Sequence, residues 1–293
     1  MMEELNEFRR RLEDRYQDLT KSEQIIASYL LANHDEAAFL PAAELAERLD
    51  VSEATMVRFA RAIGYDSFPE LRRVLQEIFR ARVTPASRLQ RKLADLKTGE
   101  GHVLAKIIDM ELQYLTEAER SIDPADFDRA VEMILKGRRV FVFGIGPSRI
   151  LADLVQIRLR RFGVPTYSMT ESGRDLLDKL ILLHPDDAVL AAGFHRVTGE
   201  LVAVLEHAHK LGCPTVLLTD TLGSTFKDRA DVILSARRGP VSNFHSLTVP
   251  MAILNALILA IAMSRSEESV TFLNRLQEMR ADYGLDAIGK SGS

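Results

Sequence analysis

The hydrophobic pattern of this chain changes period once, near residue 137, and that change limits what the chain can fold into. Before it, no convincing strand occurs; Leu19, Ile25, Ile26, Tyr29 and Leu30 recur at helical spacing. After Gly137, apolar runs suited to strands (Val140–Phe143, Pro165–Met169, Ala188–Ala192, Thr215–Thr219, Val232–Leu234) alternate with helix-length segments. Those segments are Leu151–Phe162, Arg174–Leu183, Thr198–Leu211 and Ser224–Arg229. Such alternation, with largely apolar strands, predicts a parallel sheet covered on both faces. An all-α portion therefore precedes a doubly wound α/β portion, and 293 residues suit two domains.

Local signals divide the helical portion further. Thr20 and Glu23 make a capping box, and Pro41 opens a helix where its missing N–H costs nothing. Gly64 and Pro69 precede a helix carrying Leu71, Val74, Leu75 and Ile78. Val83 to Gly101 is charged and carries Thr84-Pro85 and Thr98-Gly99 without a wide apolar face, so it reads as a linker. Helices are expected from His102 to about Ser121 and from Asp123-Pro124 to Leu135, and a flexible tail at Gly289–Ser293.

Composition excludes several classes. A single cysteine, Cys213, rules out a disulfide framework and a cysteine-rich zinc module, and is expected as a small core residue in a reducing cytoplasm. The start, Met1-Met2-Glu3-Glu4, is not that of a signal peptide. The longest apolar stretch, Val249 to Met263, is too short to span a bilayer and reads as a buried helix, so no membrane partner is expected. A formal net charge of −4 hides a local excess of base. Between Arg58 and Lys97 stand ten basic residues (Arg58, Arg61, Arg72, Arg73, Arg80, Arg82, Arg88, Arg91, Lys92, Lys97) against four acids (Asp66, Glu70, Glu77, Asp95). That excess suits a phosphate backbone, although a solvated helix face has the same composition.

Within this region, Ala46-Glu47-Arg48-Leu49-Asp50-Val51-Ser52 has the residues that a helix-turn-helix needs. Ala46 is small where the helices touch, Asp50 tolerates the left-handed turn, and Ser52 can cap the second helix. On that helix Met56, Phe59, Ala60 and Ile63 form the inward face. Glu53, Ala54, Val57, Arg58 and Arg61 fall on the other, with Thr55 in the first turn. Ser52, Glu53, Ala54, Thr55, Arg58 and Arg61 are the candidate DNA contacts, Arg58 for a guanine edge or a phosphate. An ordinary helical hairpin would read similarly.

A wider set of residues is more specific. Leu19-Thr20-Lys21-Ser22-Glu23, Val51-Ser52-Glu53-Ala54-Thr55-Met56-Val57-Arg58-Phe59 and Gly64-Tyr65-Asp66-Ser67-Phe68-Pro69-Glu70-Leu71 resemble the N-terminal domain of RpiR/MurR-type bacterial regulators. The resemblance covers roughly residues 1–78 and implies a dimer on a palindromic double-stranded operator.

The second candidate site follows the first strand. Gly144 and Gly146 permit a tight turn and close approach of a ligand oxygen, and Ser148 offers a hydroxyl at a helix N-terminus that favours anions. A dinucleotide fingerprint would need glycine at 149; Arg149 stands there and is expected to obstruct close helix–strand packing. Gly144-x-Gly146-x-Ser148, Ala152, Leu217-Leu218-Thr219-Asp220, and Phe244-His245-Ser246 before Asn255-Ala256-Leu257 resemble a SIS (sugar isomerase) domain. This resemblance implies a flavodoxin-like parallel sheet, association through this domain into a homodimer or homotetramer, and a phosphorylated sugar as effector. One loop departs from the family: Gly193-Phe194-His195-Arg196-Val197-Thr198-Gly199-Glu200-Leu201 has Gly193 for a serine and Leu201 for a threonine. Arg196 would replace the lost hydroxyls by a charge-assisted contact and, if buried, would need an anion as partner. The acidic or phosphorylated sugar is therefore assigned to Gly144, Gly146, Ser148, Glu171, Ser172, Arg196, Thr198 and Ser246.

No metal, cofactor or catalytic residue is indicated; His207 and His209 are two apart on a helix and cannot share one face. His195 reads as loop surface. The expected organisation is 1–78 for DNA, 79–123 linker and connecting helix, 124–270 for the effector, and 271–293 a C-terminal helix and tail. The resulting function is a cytoplasmic transcriptional regulator. Its rival is a sugar-phosphate isomerase with Glu171, Glu200 or His195 as base.

Overall fold

The computed structural model describes residues 2–82, 84–98, 101–240 and 243–285; the expected tail, Val83 and Gly99 lie outside them. The chain divides into two compact units, Met1–Met110 with Arg238–Ser246, and Glu111–Arg237 with Leu247–Ser293.

The first unit is helical: α1 (Met2–Arg15), α2 (Lys21–Ala37), α3 (Ala42–Arg48), α4 (Glu53–Ala62), α5 (Phe68–Arg82), α6 (Pro85–Lys97) and the start of α7 (Val103–Ser121). Phe8, Leu12, Ile26, Leu30, Leu45, Met56, Phe59 and Leu71 form its core. The capping box holds α2: Thr20 N–H donates to Glu23 Oε2 at 2.9 Å, and Glu23 N–H to Thr20 Oγ1 at 3.4 Å. Pro41 is the N-cap of α3, one residue before the position expected for it.

The expected linker is mostly helix. Thr84 and Ser87 exchange side-chain-to-backbone bonds that start α6. Its Leu89 and Leu93 are exposed, so no wide apolar face announces it. The boundary expected at 78 falls inside α5, which runs on to Arg82.

The second unit is a three-layer α/β/α fold. Asp123 caps α8 (Pro124–Lys136), accepting from the Ala125 N–H. Strands β1 (Val140–Phe143), β2 (Thr166–Met169), β3 (Ala188–Ala192), β4 (Thr215–Thr219) and β5 (Val232–Ser235) follow. All pair in parallel, in the order β2-β1-β3-β4-β5. Helices α9 (Arg149–Arg161), α10 (Arg174–Leu180), α11 (Gly199–Leu211) and the single turn α12 (Gly223–Phe226) connect them, then α13 (Thr248–Ser264) and α14 (Ser266–Asp282). Side chains alternate between the faces. Val140, Val142, Leu190, Val216 and Leu218 pack with α8, α9 and α13. Phe141, Phe143, Val189, Ala191 and Leu217 pack with α10 and α11. Both faces of the central strands β1, β3 and β4 are covered, which is why they are buried at every position, whereas the edge strands β2 and β5 are buried only in part. Among the described residues no single helix is long and apolar enough to cross a membrane.

Candidate functional site

In the first unit, α3 and α4 meet at a turn whose backbone needs a left-handed residue. Asp50 supplies it with φ of +52°, and Val51 N–H then donates to the Ala46 carbonyl at 2.9 Å. Ser52 Oγ caps α4 by accepting from Thr55 N–H at 3.2 Å. Met56, Phe59, Ala60 and Ile63 are buried, while Glu53, Ala54, Val57, Arg58 and Arg61 face solvent. Thr55, assigned above as a DNA contact, is buried; its hydroxyl lies 2.8 Å from Ser52 Oγ and accepts from Arg58 Nη2 at 3.0 Å. It therefore braces Arg58. Arg61 Nε donates to the Asp66 carbonyl at 3.3 Å, tying the end of α4 to the following loop.

In the second unit, the β1, β2, β3 and β4 loops leave the carboxyl edge of the sheet, and strand order reverses between β1 and β3. Open parallel sheets bind ligands at that switch point. The β1 loop is a tight turn: a side chain on Gly144 would lie 2.4 Å from the Ser148 carbonyl oxygen, and Gly146 has φ of +56°. Ser148 is buried just before α9, without a side-chain cap bond. Arg149 is exposed, with Nε 3.5 Å from the Asp153 carboxylate. The one-turn 3₁₀ segment Gly146–Ser148 precedes it, and Leu151 and Ala152 carry the packing. The expected obstruction at 149 therefore does not arise.

The β3 loop differs from its expected form in three side chains. Arg196 is exposed, so the argument from a buried, unpaired guanidinium does not hold here. Thr198 Oγ1 caps α11 by accepting from Leu201 N–H at 3.2 Å. His195 is half-buried with φ of +43°, not plain surface, and its N–H donates to Asp220 Oδ1 at 2.7 Å. A side chain on Gly193 would lie 2.6 Å from Leu201 Cδ2. Gly193 and Leu201 are thus one packing unit, in which the leucine fills the space that the glycine leaves.

After β2, Glu171 is already engaged: Oε1 accepts from Lys179 Nζ at 2.7 Å and Oε2 from Thr170 N–H at 2.9 Å. Burial pushes its carboxyl up, but the Lys179 and backbone bonds outweigh this and hold it below the usual carboxylate range. Ser172 is exposed beside it. Ser246 belongs to the segment grouped with the first unit, its carbonyl accepting from Arg238 Nη1 at 3.3 Å. Lys179 and Asp220 were not among the assigned residues. Lys179 reaches Glu171, and Asp220 reaches His195, only across a loop, so sequence spacing does not reveal these contacts.

Comparison with known proteins agrees with both halves of this description. Residues 7–81 match the helix-turn-helix domain of the rpiR family, and residues 133–260 match the SIS domain. The HTH-type transcriptional regulator HexR of Pseudomonas aeruginosa is 25% identical over 283 residues, covering 94% of this chain and 96% of HexR. The sugar isomerase domain of an RpiR transcription factor from Sphaerobacter thermophilus is 28% identical, with a TM-score of 0.56, over 59% of this chain and 97% of that one. The NanR protein of Vibrio vulnificus, solved in complex with ManNAc-6P, shares the fold at 21% identity and a TM-score of 0.63, over 95% of this chain and 98% of NanR. The chain is a transcriptional regulator of the rpiR helix-turn-helix family with a C-terminal SIS domain.

Proposed function

We propose that this protein binds an operator through α4 and releases or reshapes that binding when a phosphorylated or acidic sugar occupies the β1/β3 edge of the sheet. The observation that carries the DNA half is the exposed face of α4. Glu53, Ala54 and Val57 keep its N-terminal end slim, and Thr55 holds Arg58 from behind. Short side chains let the helix enter a major groove, and a braced guanidinium can pair with a guanine edge. One such helix reads one half-site, so a homodimer or homotetramer on a palindrome is the working form.

The effector half rests on the tight Gly144–Ser148 turn facing the β3 loop across the switch point. Backbone N–H groups at the start of α9 and the Arg196 guanidinium are the donors suited to an anion there. Glu171 is paired with Lys179 and held below the usual range, so it is a weak base for proton abstraction, which counts against Glu171 as the base of the isomerase alternative. Fluorescence anisotropy on operator fragments, titrated with ManNAc-6P and other sugar phosphates, tests this reading. An effector should change operator affinity in wild type and lose that influence in Arg196→Ala. Sugar phosphates that neither bind nor alter affinity, with neutral sugars doing both, would reject it.

A further inference from the structure

We propose that Asp220, at the carboxyl end of β4, is the positioning residue of the β3 loop: its carboxylate holds that loop in the one backbone form that presents Arg196 and the loop amides to an anionic ligand. This rests on the effector reading above. Asp220 Oδ1 accepts from His195 N–H at 2.7 Å and from Thr221 N–H at 2.7 Å, with Thr221 Oγ1 at 3.2 Å. One carboxylate oxygen therefore ties the loop after β3 to the loop after β4. At the point where it is tied, His195 adopts φ of +43°, and Arg196 N–H donates back to the Phe194 carbonyl. That closes a three-residue turn of a kind that is rare and strained for a side-chain-bearing residue. Phe194 on one side is buried, Leu201 is locked against Gly193, and Thr198 caps α11. Phe194, His195 and Thr198 are thus held by burial or hydrogen bonds, while the side chains of Arg196 and Val197 are exposed.

Strained backbone persists where its surroundings over-determine it, and it gathers at ligand clamps. The surrounding group here is a carboxylate, which is the wrong sign for an anion site unless its charge is committed elsewhere. Two loop amides and a hydroxyl commit it. Electrostatics alone and the positioning role therefore make opposite forecasts. Removing the negative charge would tighten anion binding if charge were all that mattered, and would weaken it if the anchor mattered.

The test uses the full chain, with ManNAc-6P and inorganic phosphate as probes by calorimetric titration, and hydrogen exchange of peptides covering 193–198 and α11. In Asp220→Ala the loop amides should exchange at least tenfold faster with α11 unchanged, and probe affinity should fall at least tenfold. Asp220→Asn keeps an acceptor and should stay within about threefold of wild type. His195→Gly adopts the left-handed turn without an anchor, so His195→Gly/Asp220→Ala should recover most of the lost affinity. Tighter binding in Asp220→Ala, unchanged loop exchange, or no recovery in the double variant would each overturn the proposal. If no probe binds wild type, the effector reading fails, and the exchange measurement alone then decides whether Asp220 anchors the loop.

Discussion

Gly193 and Leu201 should behave as one unit when either is changed. A methyl placed on Gly193 lies 2.6 Å from Leu201 Cδ2 and 3.2 Å from Cδ1. Leu201 is 1% exposed, in the core formed with Phe141, Val189 and Leu217, so it cannot swing into solvent. Gly193→Ala should therefore destabilise by about 1–3 kcal/mol, the usual cost of overpacking. Leu201→Ala removes the obstructing methyls and leaves a cavity, at about 2–5 kcal/mol. The double variant puts the new methyl into part of that cavity. Its loss should fall short of the sum by at least about 1 kcal/mol, the coupling expected of residues in contact. Scanning calorimetry of the full chain can read this as a shift of the SIS unit's transition, at about 2–4 °C per kcal/mol for a domain of this size. Strict additivity within about 0.5 kcal/mol, or a neutral Gly193→Ala, would refute the interlock.

Arg58→Ala should weaken specific operator binding by about 1–3 kcal/mol, measured by anisotropy; Thr55→Val, which removes the brace but keeps the shape, should weaken it less, and unchanged binding in Arg58→Ala would displace α4 as the reading helix. Ser52→Ala removes the α4 cap and should cost about 0.5–2 kcal/mol, read from the melting of the helical unit. Asp187 is buried and accepts from Arg139 Nε at 3.0 Å and Nη2 at 2.6 Å, and from His184 N–H at 2.9 Å. Burial pushes its carboxyl up, but these bonds outweigh it and hold the carboxyl below its ordinary value. Its contribution is therefore present above the unfolded value of about 4 and lost as pH falls through the lower folded value. Asp187→Ala takes the acceptor from the His184 N–H and from an Arg139 guanidinium that still bonds the Leu182 carbonyl and is partly exposed, and should cost about 1–3 kcal/mol near neutral pH, with the gap to wild type narrowing in acid; a gap that widens in acid would contradict the assignment.

Most of the fold was legible because it lies in local signals. Strands β1 and β3 are uninterrupted apolar runs, β4 is apolar between two threonines, and these three begin and end where the sequence places them. Asp50 and Ser52 likewise declare a turn and a cap through their own chemistry. Helix α6 was missed for a physical reason: its capping box uses Ser87 where Glu or Gln is the usual sign, and its leucines make only a narrow stripe. The candidate sites were less legible. That Thr55 turns inward depends on its bonds to Ser52 and Arg58, that Thr198 caps α11 on the path of its loop, and that Glu171 is occupied on Lys179 in the next helix. Residue identity offers the donors and acceptors; which of them are already spent is decided by the tertiary structure.

The Gly193–Leu201 contact also constrains how such a loop can change over time. Suppose a lineage passes between a serine and threonine at these positions and the glycine and leucine found here. Trimming the serine first opens space and removes one hydroxyl, a modest step. Enlarging the threonine first would drive its new methyls into the serine's Cβ, a step that costs fold stability before any benefit appears. The order of substitution is therefore directional, glycine before leucine, and the return path must run leucine first. Melting temperatures of Gly193→Ser, Leu201→Thr and the double variant would rank the two routes, with Gly193→Ser expected to be the less stable single step.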